Sequence, residues 1–171
     1  MEYVHGGDIY THKGMTDFSV NLNPFGPGRA VVEAARKSID QIGNYPDASC
    51  RKLKSALAKR LEVPAEHIIC GNGAADLIFT AVLADCPRKA LIPVPAFAEY
   101  EQALSSVGCE VEHVLLKEED DFAMQETFID WIHKDLDMVF LCNPNNPTGL
   151  LVEKPLLEKI LDRCQQLGIF M

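Results

Sequence analysis

Short apolar runs typical of strands alternate with longer amphipathic segments over the last two thirds of the chain. This alternation limits the possible folds more than any other feature. Strands are predicted over residues 67–70, 90–94, 110–116 and 138–142. Helices are predicted from residue 74, over 97–107, around 125–133 and from residue 155 to a glycine cap at residue 168. Such alternation is typical of an α/β fold with a mainly parallel sheet and helices on both faces, whose ligands bind beyond the carboxyl ends of the strands.

The front of the chain has a different pattern. Residues 1–27 are rich in Gly, Asn and Pro and show little periodicity, which predicts an irregular N-terminal arm. Two helices are predicted within residues 28–62, because apolar residues recur there at helical spacing and Pro64 follows. The rest, residues 63–171, carries the alternating pattern.

Charge and composition exclude several classes of function. The formal net charge is −9, whereas nucleic acid and anionic membranes are bound by basic surfaces, so neither is an expected partner. No apolar run is long enough to span a membrane, and the N-terminus lacks the features of a signal peptide. The six cysteines occur singly, which favours reduced thiols in a cytoplasmic protein and argues against a metal site.

A glycine turn follows the first predicted strand and opens a helix. It reads Gly71-Asn72-Gly73-Ala74-Ala75-Asp76. Backbone N–H groups at a helix start bind phosphate, and small residues permit its close approach. A plain strand-to-helix turn is the alternative. The turn has neither the complete dinucleotide fingerprint nor the lysine of a Walker loop.

Two further segments follow predicted strands. Phe97 could stack on a flat ring. The alternative is that Phe97, Tyr100, Leu104 and Val107 form a core stripe of their helix, which we favour for Tyr100 and Leu104. The loop from Cys142 to Gly149 is longer than a strand-to-helix turn requires, and its two prolines restrict the backbone that carries three asparagines. It is the most specific signal in the sequence.

This loop resembles that of the pyridoxal-phosphate enzymes of the aspartate-aminotransferase fold, also called fold type I, class I/II. The chain is most similar to their histidinol-phosphate aminotransferase branch and, within it, to the decarboxylases of threonine phosphate that serve cobalamin biosynthesis. The matching segments are His5-Gly6-Gly7, Asn21-Leu22-Asn23-Pro24, Asn44-Tyr45-Pro46-Asp47, Phe97-Ala98-Glu99-Tyr100 and residues 143–151. The resemblance covers the whole chain but only the first half of such an enzyme.

The resemblance implies roles for individual residues. The amides of Gly73, Ala74 and Ala75 hold the cofactor phosphate, Phe97 stacks on the pyridine ring, and Asn146 donates a hydrogen bond to its phenolic oxygen. Tyr45 reaches the cofactor phosphate of a neighbouring subunit, which implies a homodimer. His5 and Asn23 lie near the substrate, a small phosphorylated amino acid.

The resemblance also divides the chain. Residues 1–27 become the arm, residues 28–62 part of the small domain, and residues 63–171 the first part of the cofactor-binding large domain. The family's lysine that binds the cofactor covalently, the aspartate at the pyridine nitrogen and the arginine for the substrate carboxylate all fall beyond Met171. We therefore expect a truncated chain that is inactive alone, and no residue is assigned a catalytic role.

The expected reaction of the full-length enzyme is decarboxylation of L-threonine O-3-phosphate to aminopropanol phosphate. Transamination of histidinol phosphate or a related substrate is the alternative within the family. Two alternatives come from other classes. A non-catalytic phosphate-binding module would fold without a covalent cofactor, and a nucleotide-binding domain would prefer ATP or NAD to pyridoxal phosphate.

Overall fold

The chain divides into two compact units, Met1–Ile69 and Cys70–Met171. The computed structural model describes residues 6–171. In the described part of the chain, no helix has both the length and the apolar character that crossing a membrane requires.

The first unit consists of an irregular segment and two exposed helices. Residues 6–28 contain turns but no helix or strand. Helix α1 spans Arg29–Ser38 and is followed by a 3₁₀ turn at Ile39–Gln41. Helix α2 spans Arg51–Leu61 and is followed by a 3₁₀ turn at Ala65–His67. Neither α1 nor α2 contains a buried residue.

The second unit is built on a three-stranded parallel sheet. The strands are β1 (Lys89–Val94), β2 (Glu110–Leu115) and β3 (Met138–Val139), in the order β2-β1-β3. In the centre, Leu91 pairs with Glu112 on one side and with Val139 on the other. Beyond β3, Phe170 forms a parallel bridge with Met138.

Helices cover both faces of this sheet. The helices are α3 (Ala74–Asp85), α4 (Ala98–Ser106) and α5 (Lys154–Leu167). Because side chains alternate along a strand, Ala90 and Ile92 of β1 pack with α3 and α4, whereas Leu91 packs with α5. The predicted α/β class, with a mainly parallel sheet between helices, is confirmed.

Two of the predicted elements do not form in the structure. No strand forms at residues 67–70, where Ile68 is extended but no described segment supplies a ladder of hydrogen bonds. The helix predicted around residues 125–133 is instead a 3₁₀ helix at Glu126–Trp131. A segment this short is helical only where packing stabilises it. The 3₁₀ helix already buries Phe128, and the buried Ile132 follows it in extended backbone.

The predicted strand at residues 138–142 is also shorter in the structure. Only Met138–Val139 forms a ladder, although the Phe140 N–H still donates to the Leu91 carbonyl at 3.0 Å. The following backbone leaves the sheet and enters the proline-containing loop.

Candidate functional site

Two loops leave the same edge of the sheet. Strand β1 ends at Val94 and leads through Pro95 to Phe97, the residue that precedes α4. The neighbouring parallel strand β3 leads to the loop at residues 142–149. Since parallel neighbours end at one edge, the sheet brings together two of the segments that the sequence singled out.

The glycine turn before α3 depends on its two glycines. A Cβ atom at Gly71 would lie 2.8 Å from both the Asp76 Oδ2 and the Leu77 Cδ2, so a side chain there would collide with the first turn of the helix. Gly73 has a φ of 94°, which L-residues rarely adopt, and has open space around its Cα. The Asn72 N–H donates to Asp76 Oδ2 at 2.8 Å and holds the turn against the helix.

The start of α3 presents free hydrogen-bond donors. Gly73, Ala74 and Ala75 are exposed, and their N–H groups donate to no acceptor within the described residues. The positive end of the helix dipole adds to these donors, since α3 is twelve residues long. This arrangement suits the oxygens of a phosphate group.

Phe97 and Tyr100 have different surroundings. Phe97 is half-buried and belongs to neither core cluster, so part of its ring is accessible. The Tyr100 ring packs on the core, stacked on Phe140 with centroids 4.6 Å apart, and its edge contact with Phe97 has centroids 5.8 Å apart at 80°. Leu104 is fully buried. Tyr100 and Leu104 thus form the core stripe, while Phe97 remains available for a ligand.

The Tyr100 hydroxyl lies beside the Cys142 thiol. Burial raises the pKa of Tyr100 above its ordinary value of 10.0, and a hydrogen bond with Cys142 raises it further. Tyr100 belongs to α4 and Cys142 to the loop after β3, so the pKa of the phenol depends on both segments.

The asparagines of the second loop have separate tasks. The Asn143 side-chain oxygen accepts the Val152 N–H at 2.9 Å, and Asn145 bonds across to the first loop. Asn146 is half-buried, and no described hydrogen bond uses its side-chain amide. The Asn143–Pro144 and Asn146–Pro147 peptide bonds are cis, as is Val94–Pro95. The side-chain amide of Asn146 is therefore available to a ligand.

These groups fit the chemistry of pyridoxal phosphate. The free N–H groups of Gly73, Ala74 and Ala75 suit its phosphate, the accessible ring of Phe97 suits its flat heterocycle, and the amide of Asn146 suits its phenolic oxygen. All of these groups belong to the second unit.

The remaining candidate residues lie in the first unit or outside the described residues. His5 falls among residues 1–5, outside the described part. Tyr45 is 95% exposed, so its ring contacts little of its own chain. Asn23 is engaged locally, donating to the Gly26 carbonyl at 2.9 Å and accepting the Phe25 N–H at 3.1 Å.

Sequence reasoning did not single out Asn145 or the pairing of Tyr100 with Cys142. Both contacts join residues far apart in the chain, and only the three-dimensional path of the loops brings them together. A usable signal was the position of Asn145 directly before Asn146 in a proline-restricted loop, where its backbone is as constrained as that of its neighbour.

The sequence is similar to those of known proteins. The family model for aminotransferase class I and II matches residues 13–171. The threonine-phosphate decarboxylase of Salmonella typhimurium is 43% identical over 173 residues, which cover 96% of this chain and 48% of the relative. The chain spans about half the length of the curated relatives it matches.

Solved structures show the same fold. The histidinol-phosphate aminotransferase from Clostridium acetobutylicum superposes with a TM-score of 0.78 at 29% identity, over 89% of this chain and 44% of the other. The L-threonine-O-3-phosphate decarboxylase from Porphyromonas gingivalis superposes with a TM-score of 0.66 at 27% identity, over 79% of this chain and 39% of the other.

The surroundings of Tyr100 predict a loss of stability at high pH. The folded chain keeps the phenol proton above the ordinary pKa of 10.0, so the folded state binds more protons there than the unfolded state. The free energy of unfolding is unaffected by this group below that pH and falls as the pH rises above it towards the raised pKa of the folded chain. Because solvent screens part of the effect, we expect the free energy of unfolding to fall by about 1 kcal/mol between roughly pH 10 and 11.

The measurement is urea unfolding at these pH values for the wild-type chain and Tyr100→Phe. The variant keeps the stacked ring but has no phenol proton, so its stability should fall less. Cys109 and Cys164, whose pKa values burial raises, are present in both proteins and cancel in the comparison. Equal losses in the two proteins would contradict the assignment.

Proposed function

The chain belongs to the class I and II aminotransferases, and from this premise we propose that it forms the cofactor-binding part of a pyridoxal-phosphate enzyme. The proposed reaction is decarboxylation of L-threonine O-3-phosphate to aminopropanol phosphate, a step of cobalamin biosynthesis. The set of three free N–H groups at the start of α3 carries the cofactor proposal. The similarity to the Salmonella typhimurium decarboxylase, which extends over 96% of this chain, supports the choice of reaction.

We assign the cofactor phosphate to the N–H groups of Gly73, Ala74 and Ala75, whose donors lack partners within the described residues. The Phe97 ring would hold the heterocycle flat, because its own position is fixed by the edge contact with Tyr100. The Asn146 amide would donate a hydrogen bond to the phenolic oxygen. When bound, pyridoxal phosphate supplies an electron sink that weakens the bonds at the α-carbon of an amino-acid substrate.

The choice of the bond that breaks depends on how the substrate is oriented. A bond at the α-carbon is weakened most when it lies perpendicular to the plane of the heterocycle. Residues that fix the ring plane therefore also fix the direction in which the breaking bond must point. Phe97 and Asn146 have this task in the proposal. Loss of the carboxylate as carbon dioxide is the decarboxylase reaction. Loss of the α-proton begins the aminotransferase reaction.

The first unit would supply further contacts. We propose that His5 and Asn23 lie near the substrate and that Tyr45 binds the cofactor phosphate of a second subunit in a homodimer. The high exposure of Tyr45 supports this, since its ring is available to another chain. The division into an arm at 1–27, a small-domain part at 28–62 and a large-domain part at 63–171 belongs to the same proposal, as does a cytoplasmic location.

An aminotransferase acting on histidinol phosphate is the second candidate. The superposition on the Clostridium acetobutylicum enzyme, with a TM-score of 0.78, favours it. The groups that would bind the cofactor are the same in both candidates, so the substrate alone separates them.

We further propose that this chain alone binds the cofactor without turning over substrate. Lys154 and Lys159 lie on α5 with exposed side chains paired to Glu158 and Glu126. Lys89 lies at the opposite end of β1 from Phe97 and pairs with Glu110 and Glu112. None of these three lysines lies at the carboxyl ends of β1 and β3, where the cofactor would bind.

Removal of the Phe97 ring should weaken cofactor binding. Aromatic stacking contributes about 1 kcal/mol, so Phe97→Ala should raise the dissociation constant for pyridoxal phosphate about fivefold. Equilibrium dialysis of the chain with pyridoxal phosphate measures this. Phe170→Ala is the matched control, because Phe170 is half-exposed and bridges Met138 at the outer edge of the sheet. An unchanged affinity in Phe97→Ala would return Phe97 to a packing role.

Reduction with borohydride tests the absence of a covalent anchor. After incubation with pyridoxal phosphate, we expect the 171-residue chain to give only several partial lysine adducts, located by mass spectrometry. One stoichiometric adduct at a single lysine would show that this chain contains its own anchor and would contradict the proposal.

The reaction is tested on the protein as its gene encodes it. With L-threonine O-3-phosphate we expect release of carbon dioxide and formation of aminopropanol phosphate in equal amounts. With histidinol phosphate and a 2-oxo acid, we expect no amino transfer. The reverse pattern would establish the aminotransferase.

A further inference from the structure

Asn145 joins the two loops that carry the proposed cofactor contacts. Its side-chain nitrogen Nδ2 donates to the Pro95 carbonyl, fifty residues away in sequence, at 3.1 Å. The same nitrogen donates to the Thr148 hydroxyl at 3.0 Å. An asparagine Nδ2 carries two hydrogens, and these two bonds use both of them.

The Asn145 backbone is fixed as well. Its N–H donates to the Leu150 carbonyl at 2.8 Å, and its carbonyl accepts the Gly149 N–H at 2.7 Å. These bonds close the loop on itself, so the side chain projects from a constrained backbone. Asn145 is also half-buried, which lowers the local dielectric and strengthens its hydrogen bonds.

The bond from Asn145 to Pro95 joins the two loops that carry Phe97 and Asn146. Pro95 lies two residues before Phe97, and Asn145 lies directly before Asn146. A bond between Asn145 and Pro95 therefore ties the segment that ends in the stacking ring to the residue that carries the free amide. The Tyr100 ring of α4 also stacks on Phe140, just before the second loop, with centroids 4.6 Å apart.

We propose that Asn145 is a positioning residue, which holds the Phe97 ring and the Asn146 amide in one fixed arrangement before any ligand binds. It does not touch the ligand itself. The inference rests on the proposed function in one respect, since the consequence for binding concerns pyridoxal phosphate. The bridge between the loops can be tested without the cofactor.

The first test measures hydrogen exchange of side-chain amides in the cofactor-free chain by nuclear magnetic resonance. We expect the Nδ2 hydrogens of Asn145 to exchange at least tenfold more slowly than those of Asn146, because only the former are bonded. Asn146 is a matched reference in the same loop. Equal exchange of the two amides would overturn the inference, whatever the chain binds.

The second test uses Asn145→Ala and Asn145→Leu. Leucine keeps the branched shape of asparagine at Cγ, although it is larger, and it has no donors, so it separates the lost hydrogen bonds from a lost side chain. Asn143→Ala is the control, because among residues 6–171 the Asn143 side chain bonds only to Val152, just after its own loop. Each variant is titrated with pyridoxal phosphate, and the circular dichroism induced in the bound cofactor is recorded at saturation.

Both Asn145 variants should bind pyridoxal phosphate at least fivefold more weakly and lose most of the induced signal at saturation. The signal reports the arrangement of groups around the ring, which a general loss of stability would not change once the site is filled. Asn143→Ala should stay within twofold of wild type. Wild-type behaviour of the Asn145 variants, or an equal loss in Asn143→Ala, would overturn the positioning role.

The two proposals fail in different ways. If the wild-type chain binds no pyridoxal phosphate, the proposed function fails, and the exchange measurement alone decides on Asn145. If the wild-type chain binds it and the Asn145 variants bind equally well, the function stands and the positioning role fails.

Discussion

The parallel pairing of β1 with β3 is the constraint on which the candidate site depends. It makes the two strands end at one edge of the sheet, so that Phe97 and Asn146 follow from neighbouring positions. The core enforces this arrangement, because Leu91 and Val139 are buried together on one face and Ala90 and Met138 on the other. A shift of the register by one residue would move each of these side chains to the wrong face. The geometry of the loops is therefore set by the packing beneath them.

Sequence patterns could predict most of the fold. The alternation of runs predicted β1, β2 and the start of β3, and the periodic apolar residues predicted α3, α4 and α5. These elements follow from local periodicity and from chain breakers such as Gly168, which caps α5 with a φ of 69°. The segments at residues 67–70 and 125–133 could not be predicted in the same way. Their structure depends on which neighbours pair or pack with them, and local sequence does not contain that information.

The candidate site could be predicted in its parts but not in its connections. The free donors before α3 follow from a glycine turn at a helix start, and the accessible Phe97 follows from its place just before α4. The bond from Asn145 to Pro95 joins residues that no local pattern relates. The same holds for Tyr100 and Cys142. A residue that acts on its neighbours through a tertiary contact has no short sequence signature, which is why Asn145 was recognised only from the distances.

The order of the strands also determines when the site can form during synthesis. Glu112, one partner of Leu91, is synthesised before Val139, its partner on the other side. A chain still on the ribosome can thus pair β1 with β2 while the opposite edge of β1 stays open. An open edge is a template for unwanted pairing with other chains. The interval between these two pairings is therefore the time during which the open edge of β1 can pair with another chain.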